Sequence, residues 1–197
     1  MITPAMIEEA AAALLAGRLV VAPTDTVYGV CAHPDNVDAV EQLYVVKGRP
    51  ETKPIPLLVA DCAALSTIGV VLSPFEQRLA EAFWPGPLTL IVQTLTGSEG
   101  VRVPDHDGMR DLLRAAGGVL RVTSANLSGE SPALTADEAR PTLGDRVAII
   151  LDGGPVSGGV PSSVVRITGQ TLEVLREGAL DADTLHQISG LCLPSVA

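Results

Sequence analysis

Short apolar runs rich in β-branched residues alternate along this chain with segments whose apolar residues recur at helical spacing. Capping and turn residues sit at the breaks. Such an order asks for a sheet whose faces are covered by helices. Thr3 followed by Pro4 predicts a first helix that Gly17 stops. "RLVVAPT" (18–24) reads as a buried strand, and Val37, Val40, Leu43 and Tyr44 predict a helix over 36–46. "IPLLVA" (55–60) is a second strand, with Asp61 placed to cap a short helix. Ser73-Pro74-Phe75-Glu76 is a capping box, so a helix runs from Pro74 to about Phe83 before "WPGP" breaks it. "LTLIVQ" (88–93) is a strand, a helix near 108–116 ends at Gly117, and "GVLRVTSAN" (118–126) is a strand leaving into a loop. Thr135 with Glu138 forms a second capping box, and "RVAIILDGG" (146–154) reads as a strand. "SSVVRIT" and "TLEVLRE" pair as a hairpin through Gly169-Gln170, and Asp181 to Ile188 closes as a helix. The chain shows no long linker, repeat or low-complexity tract. The expectation is one α/β domain over 1–197, with a twisted mixed parallel/antiparallel sheet flanked by helices.

At 197 residues the chain can bury a sizeable core, and with 47 % hydrophobic but only 3 % aromatic residues that core is built from Ala, Val, Leu and Ile. Against 23 Asp+Glu stand 13 Lys+Arg, a formal net charge of -10. A global positive field is absent, which argues against a sequence-blind nucleic-acid coat while leaving room for a local anion site. Cys31, Cys62 and Cys192 show no CxxC spacing and, with His33, His106 and His186, make no metal-ligand pattern. Buried or incidental thiols in a reducing compartment are expected. The N-terminal run looks amphipathic rather than like a signal peptide, and no stretch reaches the roughly 20 apolar residues a bilayer requires. Cytoplasmic placement without membrane association is the expectation.

Four segments at predicted strand ends could carry chemistry: "PTDTVYG" (23–29), "KGRPETKP" (47–54), "VRVP" (101–104) and "TSANLSG" (123–129). Open α/β sheets bind ligands at such ends. Lys47, Arg49, Lys53 and Arg102 supply positive charge, and Thr24, Thr26, Ser124 and Asn126 supply short donors and acceptors. This mixture suits a polyanion with a second, hydrogen-bonding substrate beside it. Each piece also has a plain alternative. A basic loop can simply be solvated, a threonine beside proline caps turns, and "SAN" can be an ordinary turn. "DGGPVSGGVPSS" (152–163) is Gly-rich but lacks the spacing of a phosphate loop.

Taken together, "PTDTVYG", "KGRPETKP", "FWPGPLTL", "VRVP", "TSANLSG", "SSVV" and "LREG" occur in the order seen in the YrdC/Sua5 family, and the chain resembles that family from about Leu19 to Gly178. The resemblance implies a YrdC-like fold and the activity of the family's enzymes. These make L-threonylcarbamoyladenylate from ATP, L-threonine and bicarbonate and release pyrophosphate, for the threonylcarbamoyl modification of adenosine 37 in tRNA. It implies catalytic roles for Lys47 and Arg49, and ATP contacts from Lys47, Arg49, Ser124, Asn126 and Arg176. Thr24, Arg102 and Ser162 would bind threonine, with Thr26, Tyr28, Lys53, Thr123 and Ser163 as further candidates. Mg2+ would accompany ATP without a protein metal motif. Downstream tRNA threonylcarbamoyl transferase proteins would take the product, and tRNA binding by so acidic a chain would be weak or absent. The chain stops soon after "LREG", as a short single-domain member would. A paralogue acting on another carbamoyl substrate, or a non-catalytic RNA-binding module, are the competing implications. Arg121 departs from the small or apolar residue usual in the family; it is either an edge-strand side chain reaching for solvent or an intruder near Ser124. The 152–160 segment is the candidate lid.

Overall fold

The computed structural model describes residues 2–48, 50, 52–94 and 97–191. Among these, nine strands form one sheet. They are β1 (Val20–Pro23), β2 (Tyr28–Ala32), β3 (Leu57–Val59), β4 (Leu88–Thr94), β5 (Gly97–Arg102), β6 (Val119–Ser124), β7 (Ile149–Ile150), β8 (Ser163–Thr168) and β9 (Thr171–Arg176). Their order across the sheet is β7-β1-β2-β6-β3-β5-β4-β8-β9. β1 with β7, β3 with β5 and β4 with β8 run parallel, and the other neighbours are antiparallel. The mixed α/β architecture expected from the alternation is present.

Local chemistry sets the helix limits. α1 (Pro4–Leu15) starts where Thr3 Oγ1 accepts from Met6 N, and α2 (Val37–Lys47) starts where Asn36 Oδ1 accepts from Ala39 N. α3 (Pro74–Phe83) has a reciprocal capping box: Glu76 N donates to Ser73 Oγ at 3.3 Å and Ser73 N to Glu76 Oε2 at 2.7 Å. α4 (Asp107–Ala115) is capped by the His106 ring. Ahead of α5 (Ala136–Leu143), Thr135 accepts from Glu138 N, but the Glu138 carboxylate takes the Leu134 N–H, one residue outside the box the sequence suggests. α6 (Ala182–Ser189) follows Asp181, and a 3-10 helix (Cys62–Ile68) follows Asp61.

The faces of the sheet are covered unequally. In β1, Val20 and Ala22 pack with Ile7, Ala10 and Leu14 of α1 and Leu112 and Leu113 of α4, while Val21 packs with α2 and α5 on the opposite face. A strand buried on both sides reads as a continuous apolar run, as β1 does. Beyond β3, the face shared with α2 and α5 continues under α3 and α6, where Leu88, Leu90, Val92, Val101 and Val165 form a further core. Val20, Cys31, Val122 and Leu58 carry the α1–α4 core across β1, β2, β6 and β3. On β4, β5 and β8 that same face holds Thr89, Ile91, Gly100 and Val164, which line a groove instead.

Two strands escape sequence reading. β2 is made of Tyr-Gly-Val-Cys-Ala, and β5 of Gly-Ser-Glu-Gly-Val-Arg, so neither shows a β-branched run. "RVAIILDGG" contributes only Ile149–Ile150 as strand, an edge piece pairing with Val20 and Val21. Both expectations for Arg121 are corrected. β6 is interior, between β2 and β3, and Arg121 shares a face with Leu57, away from Val122 and the cavity. Its guanidinium donates to both Glu99 carboxylate oxygens at 2.8 and 3.0 Å and to Ile55 O at 2.7 Å. No helix among the described residues is long and apolar enough to cross a membrane.

Two outcomes follow from this packing. Glu99→Ala leaves the half-buried Arg121 without its fork partner and should cost about 1–2 kcal/mol in urea unfolding; a change under about 0.5 kcal/mol, typical of exposed sites, would overturn that. Burial pushes the Cys31 thiol up to about 12, whereas Cys62 is exposed. At pH 8 a thiol reagent should modify Cys62 and spare Cys31 until the protein unfolds, as read by peptide mass spectrometry. Because the folded-state pKa is raised, the native state gains from a protonated Cys31 fully below about pH 9 and loses that gain as pH rises towards 12.

Candidate active site

The segment after β1 is shaped by its own hydroxyls. Thr24 Oγ1 accepts from Thr26 N at 3.1 Å and Val27 N at 3.2 Å and donates to Val27 O at 2.7 Å. Thr24 and Thr26 Oγ1 lie 3.0 Å apart. Thr26 Oγ1 in turn accepts from Arg102 Nη1 at 3.0 Å. Tyr28 points elsewhere: fully buried, its hydroxyl donates to Gly154 O at 2.7 Å and accepts from Gly153 N at 3.2 Å. Burial holds that phenol above its usual pKa, with the Gly153 hydrogen bond pulling it down. Further bonds from Val156 N to Leu134 O and from Gly159 N to Thr26 O fasten the Gly-rich segment over the "PTDT" turn.

Arg102, at the end of β5, is 5 % exposed. Nε donates to Gly86 O at 2.9 Å, Nη1 to Thr26 Oγ1 at 3.0 Å, and Nη2 forms an ion pair with Asp25. Burial draws its pKa down, Asp25 opposes this, and the nearby positive charge of Arg176 adds to the lowering. Arg176, ending β9, donates through Nε and Nη2 to Ser162 O at 3.0 and 2.7 Å, and through Nη2 to Ser162 Oγ at 3.1 Å. Ser162 Oγ in turn lies 2.8 Å from Thr89 Oγ1. Ser163 is a fastener. Its hydroxyl donates to Leu180 O and accepts from Gly178 N and Leu180 N. A Cβ on Gly178 would run into Pro161 O and the Ser162 backbone, so the glycine of "LREG" permits this close approach of two chain segments.

Lys47 closes α2 and is 2 % exposed. Its ammonium lies 2.7 Å from Asn126 O, 2.9 Å from Asn126 Oδ1, 2.5 Å from Ser124 O and 3.3 Å from Ser124 Oγ. Its carbonyl accepts from Ser128 N at 2.8 Å. Asn126 completes the loop by donating to Leu127 O and Glu130 O. A buried cation thus organises "TSAN" from behind, with Ser124 between it and the cavity. Lys53 is exposed beside Pro54, and Arg49 lies outside the described residues.

Thr24, Thr26, Arg102, Thr123, Ser124, Ser162 and Arg176 converge on one cavity of about 130 Å³. It shares Pro56, Thr89 and Arg176 with the groove of about 280 Å³ across β4, β5 and β8. A larger cavity of about 590 Å³ between α1 and α4 is lined by Glu8, His106, Asp107 and Asp111, and among the described residues no Lys or Arg lines it. The sequence reading missed Asp25, the Arg102 counter-ion, and Thr89, which joins Ser162. Asp25 lay in view inside "PTDT". Thr89 is the polar member of a strand whose odd-even alternation puts Leu88 and Leu90 in the core.

Residues 12–178 match the Sua5/YciO/YrdC family model, described as "Telomere recombination". A Mycobacterium tuberculosis protein is 36 % identical over 195 residues, an alignment covering 94 % of this chain and 89 % of the relative. The threonylcarbamoyl-AMP synthase of Bacillus subtilis is 34 % identical over 93 % of this chain, which spans 56 % of that longer protein. Among solved structures, Pyrococcus abyssi Sua5 complexed with L-threonine superposes with a TM-score of 0.90 at 28 % identity, covering 98 % of this chain and 60 % of that one. By fold, motif order and sequence, the chain belongs to the Sua5/YciO/YrdC family.

Proposed function

We propose that this protein is an L-threonylcarbamoyladenylate synthase, condensing L-threonine, bicarbonate and ATP with release of pyrophosphate. The observation that carries the reading is the pairing of a small cavity at Arg102 with a wider groove, Arg176 standing at their boundary. A volume of about 130 Å³ suits an amino acid and is well below the roughly 300 Å³ at which pockets for larger ligands begin. The kinship with synthases, one of them in a family with a threonine-bound structure, points the same way.

Arg102 has three of its five N–H groups engaged by partners among the described residues, leaving donors for the threonine carboxylate. Thr24, Ser162, Thr26 and Thr123 offer hydroxyls to the amino acid. The amine, once neutral, takes up bicarbonate as a carbamate with loss of water. A carbamate oxygen then bonds to the α-phosphorus as the bond to pyrophosphate breaks. Arg176, Ser124, Asn126 and the "KGRPETKP" loop with Lys47 and Arg49 serve the nucleotide, where fixed cations stabilise charge developing on pyrophosphate. Lys47 contributes by holding "TSAN" in shape as well as by its charge. Among the described residues no three His, Cys, Asp or Glu side chains are placed to hold a metal, and Mg2+ enters as part of the MgATP substrate. Holding three small reactants together supplies up to roughly 7–11 kcal/mol in favourable cases. The product passes, in the cytoplasm, to tRNA threonylcarbamoyl transferase proteins, with tRNA itself bound weakly or not at all.

Pyrophosphate release should require ATP, Mg2+, bicarbonate and L-threonine together; release indifferent to threonine would sink the synthase reading. Arg102→Lys replaces the fork by a point charge and should raise KM for threonine about tenfold or more while ATP affinity changes little. Lys47→Ala strips the loop acceptors of their donor. It should lower stability by about 1–3 kcal/mol and abolish turnover; full activity in the variant would show that the loop needs no such anchor.

A further inference from the structure

Gly29 is a glycine for reasons of space. Its φ is not among the positive values found at eleven other glycines, so its backbone is open to any residue. A Cβ built there would lie 2.5 Å from Val122 Cγ1, too close for either atom to stay. Val122 is β-branched and stiff at χ1, and it packs within the α1–α4 core beside Leu58 and Leu120. Its open side is the cavity, which Gly29, Leu58 and Val122 all line.

Register gives the arrangement across this face. Arg102 on β5 sits opposite Leu58 on β3, Leu58 opposite Leu120 on β6, and Val122 opposite Cys31 on β2, two residues from Gly29. From Arg102 towards β2 the cavity is lined by the apolar Leu58, Val122 and the bare Gly29, with the hydroxyl-bearing Thr24, Thr26, Thr123 and Ser124 also in the lining and Ser124 opposite Gly29. From Arg102 towards β4 it is polar, with Thr89, Ser162 and Arg176, and opens into the groove. An amino acid whose carboxylate meets Arg102 and whose amine must reach a nucleotide in the groove turns its side chain to the wall on the β2 side, where a methyl meets Leu58, Val122 and Gly29 and a hydroxyl meets the threonines and Ser124.

Resting on the synthase reading, we propose that the Gly29–Val122 contact gauges the substrate side chain. With no Cβ on Gly29, Val122 seats its Cγ1 against β2 and out of the cavity, and the room this leaves in front of Val122 receives the β-methyl that distinguishes threonine from serine. One methyl in an apolar pocket separates substrates by about 10–200-fold. The cavity is small enough for one methyl group to matter.

The test compares kcat/KM for L-threonine and L-serine, by pyrophosphate release, in wild type, Gly29→Ala, Val122→Ile and Gly29→Ala/Val122→Ala. Gly29→Ala should lower the threonine-to-serine ratio about tenfold or more. Val122→Ile, which leaves β2 untouched, should shift it in the same direction. The double variant, in which Cγ1 is gone, should return the ratio to within about threefold of wild type. Unchanged ratios in Gly29→Ala and Val122→Ile that melt like wild type would overturn the gauge and leave the synthase reading standing. Wild-type protein without threonine-dependent release would overturn both.

Discussion

A sheet nine strands wide presents more surface on one face than two helices can cover. α1 and α4 bury the face of β1, β2, β6 and β3, and α2, α5, α3 and α6 line the other side from end to end. The shortfall over β4, β5 and β8 is the groove. Its inner boundary is where apolar packing stops, and there Arg102 and Arg176 stand. The site is thus set by layer geometry first and furnished by motifs second.

Placing cations in that boundary is costly, and each is held differently. Arg102 shares its charge with Asp25 and is pinned at three nitrogens. Arg176 donates to the Ser162 carbonyl and hydroxyl, and Lys47 to the oxygens of Ser124 and Asn126. In a chain of net charge -10 these few residues create a local field of opposite sign to the surroundings. An anion finds attraction at the cavity, which makes the acidic surface a source of selectivity.

Elements fixed by neighbours in the chain were legible. The Thr3 and Ser73 caps, the helices beginning near Asn36 and Asp181 and the hairpin at Gly169-Gln170 all follow from contacts within a few residues. β2 and β5 were not, because Gly29, Cys31 and Ala32 become strand through partners on β1 and β6, far along the sequence. Arg121 misled for the same reason: its partner Glu99 comes from a strand the pattern did not show. Within the site, the motifs named the right segments without separating the tasks inside them. Thr26 and Arg102 face the cavity, while Tyr28 and Ser163, from the same or adjoining motifs, knot loops together. A motif marks residues that must be there; only packing says whether a residue meets a ligand or its own backbone.

The cavity draws its wall from residues as far apart as Thr24 and Arg176, through the parallel pairing of β4 with β8 and the knot between Ser163 and Gly178. Arg176 belongs to the last strand in the chain and to the far edge of the sheet. During synthesis the first strand therefore waits for nearly the whole sequence before the anion site is complete. Contacts of such long sequence separation form late and slowly. Competence to bind a polyanion is thereby coupled to completion of the fold, and a half-made chain exposes its threonines and Arg102 before Arg176 has joined them.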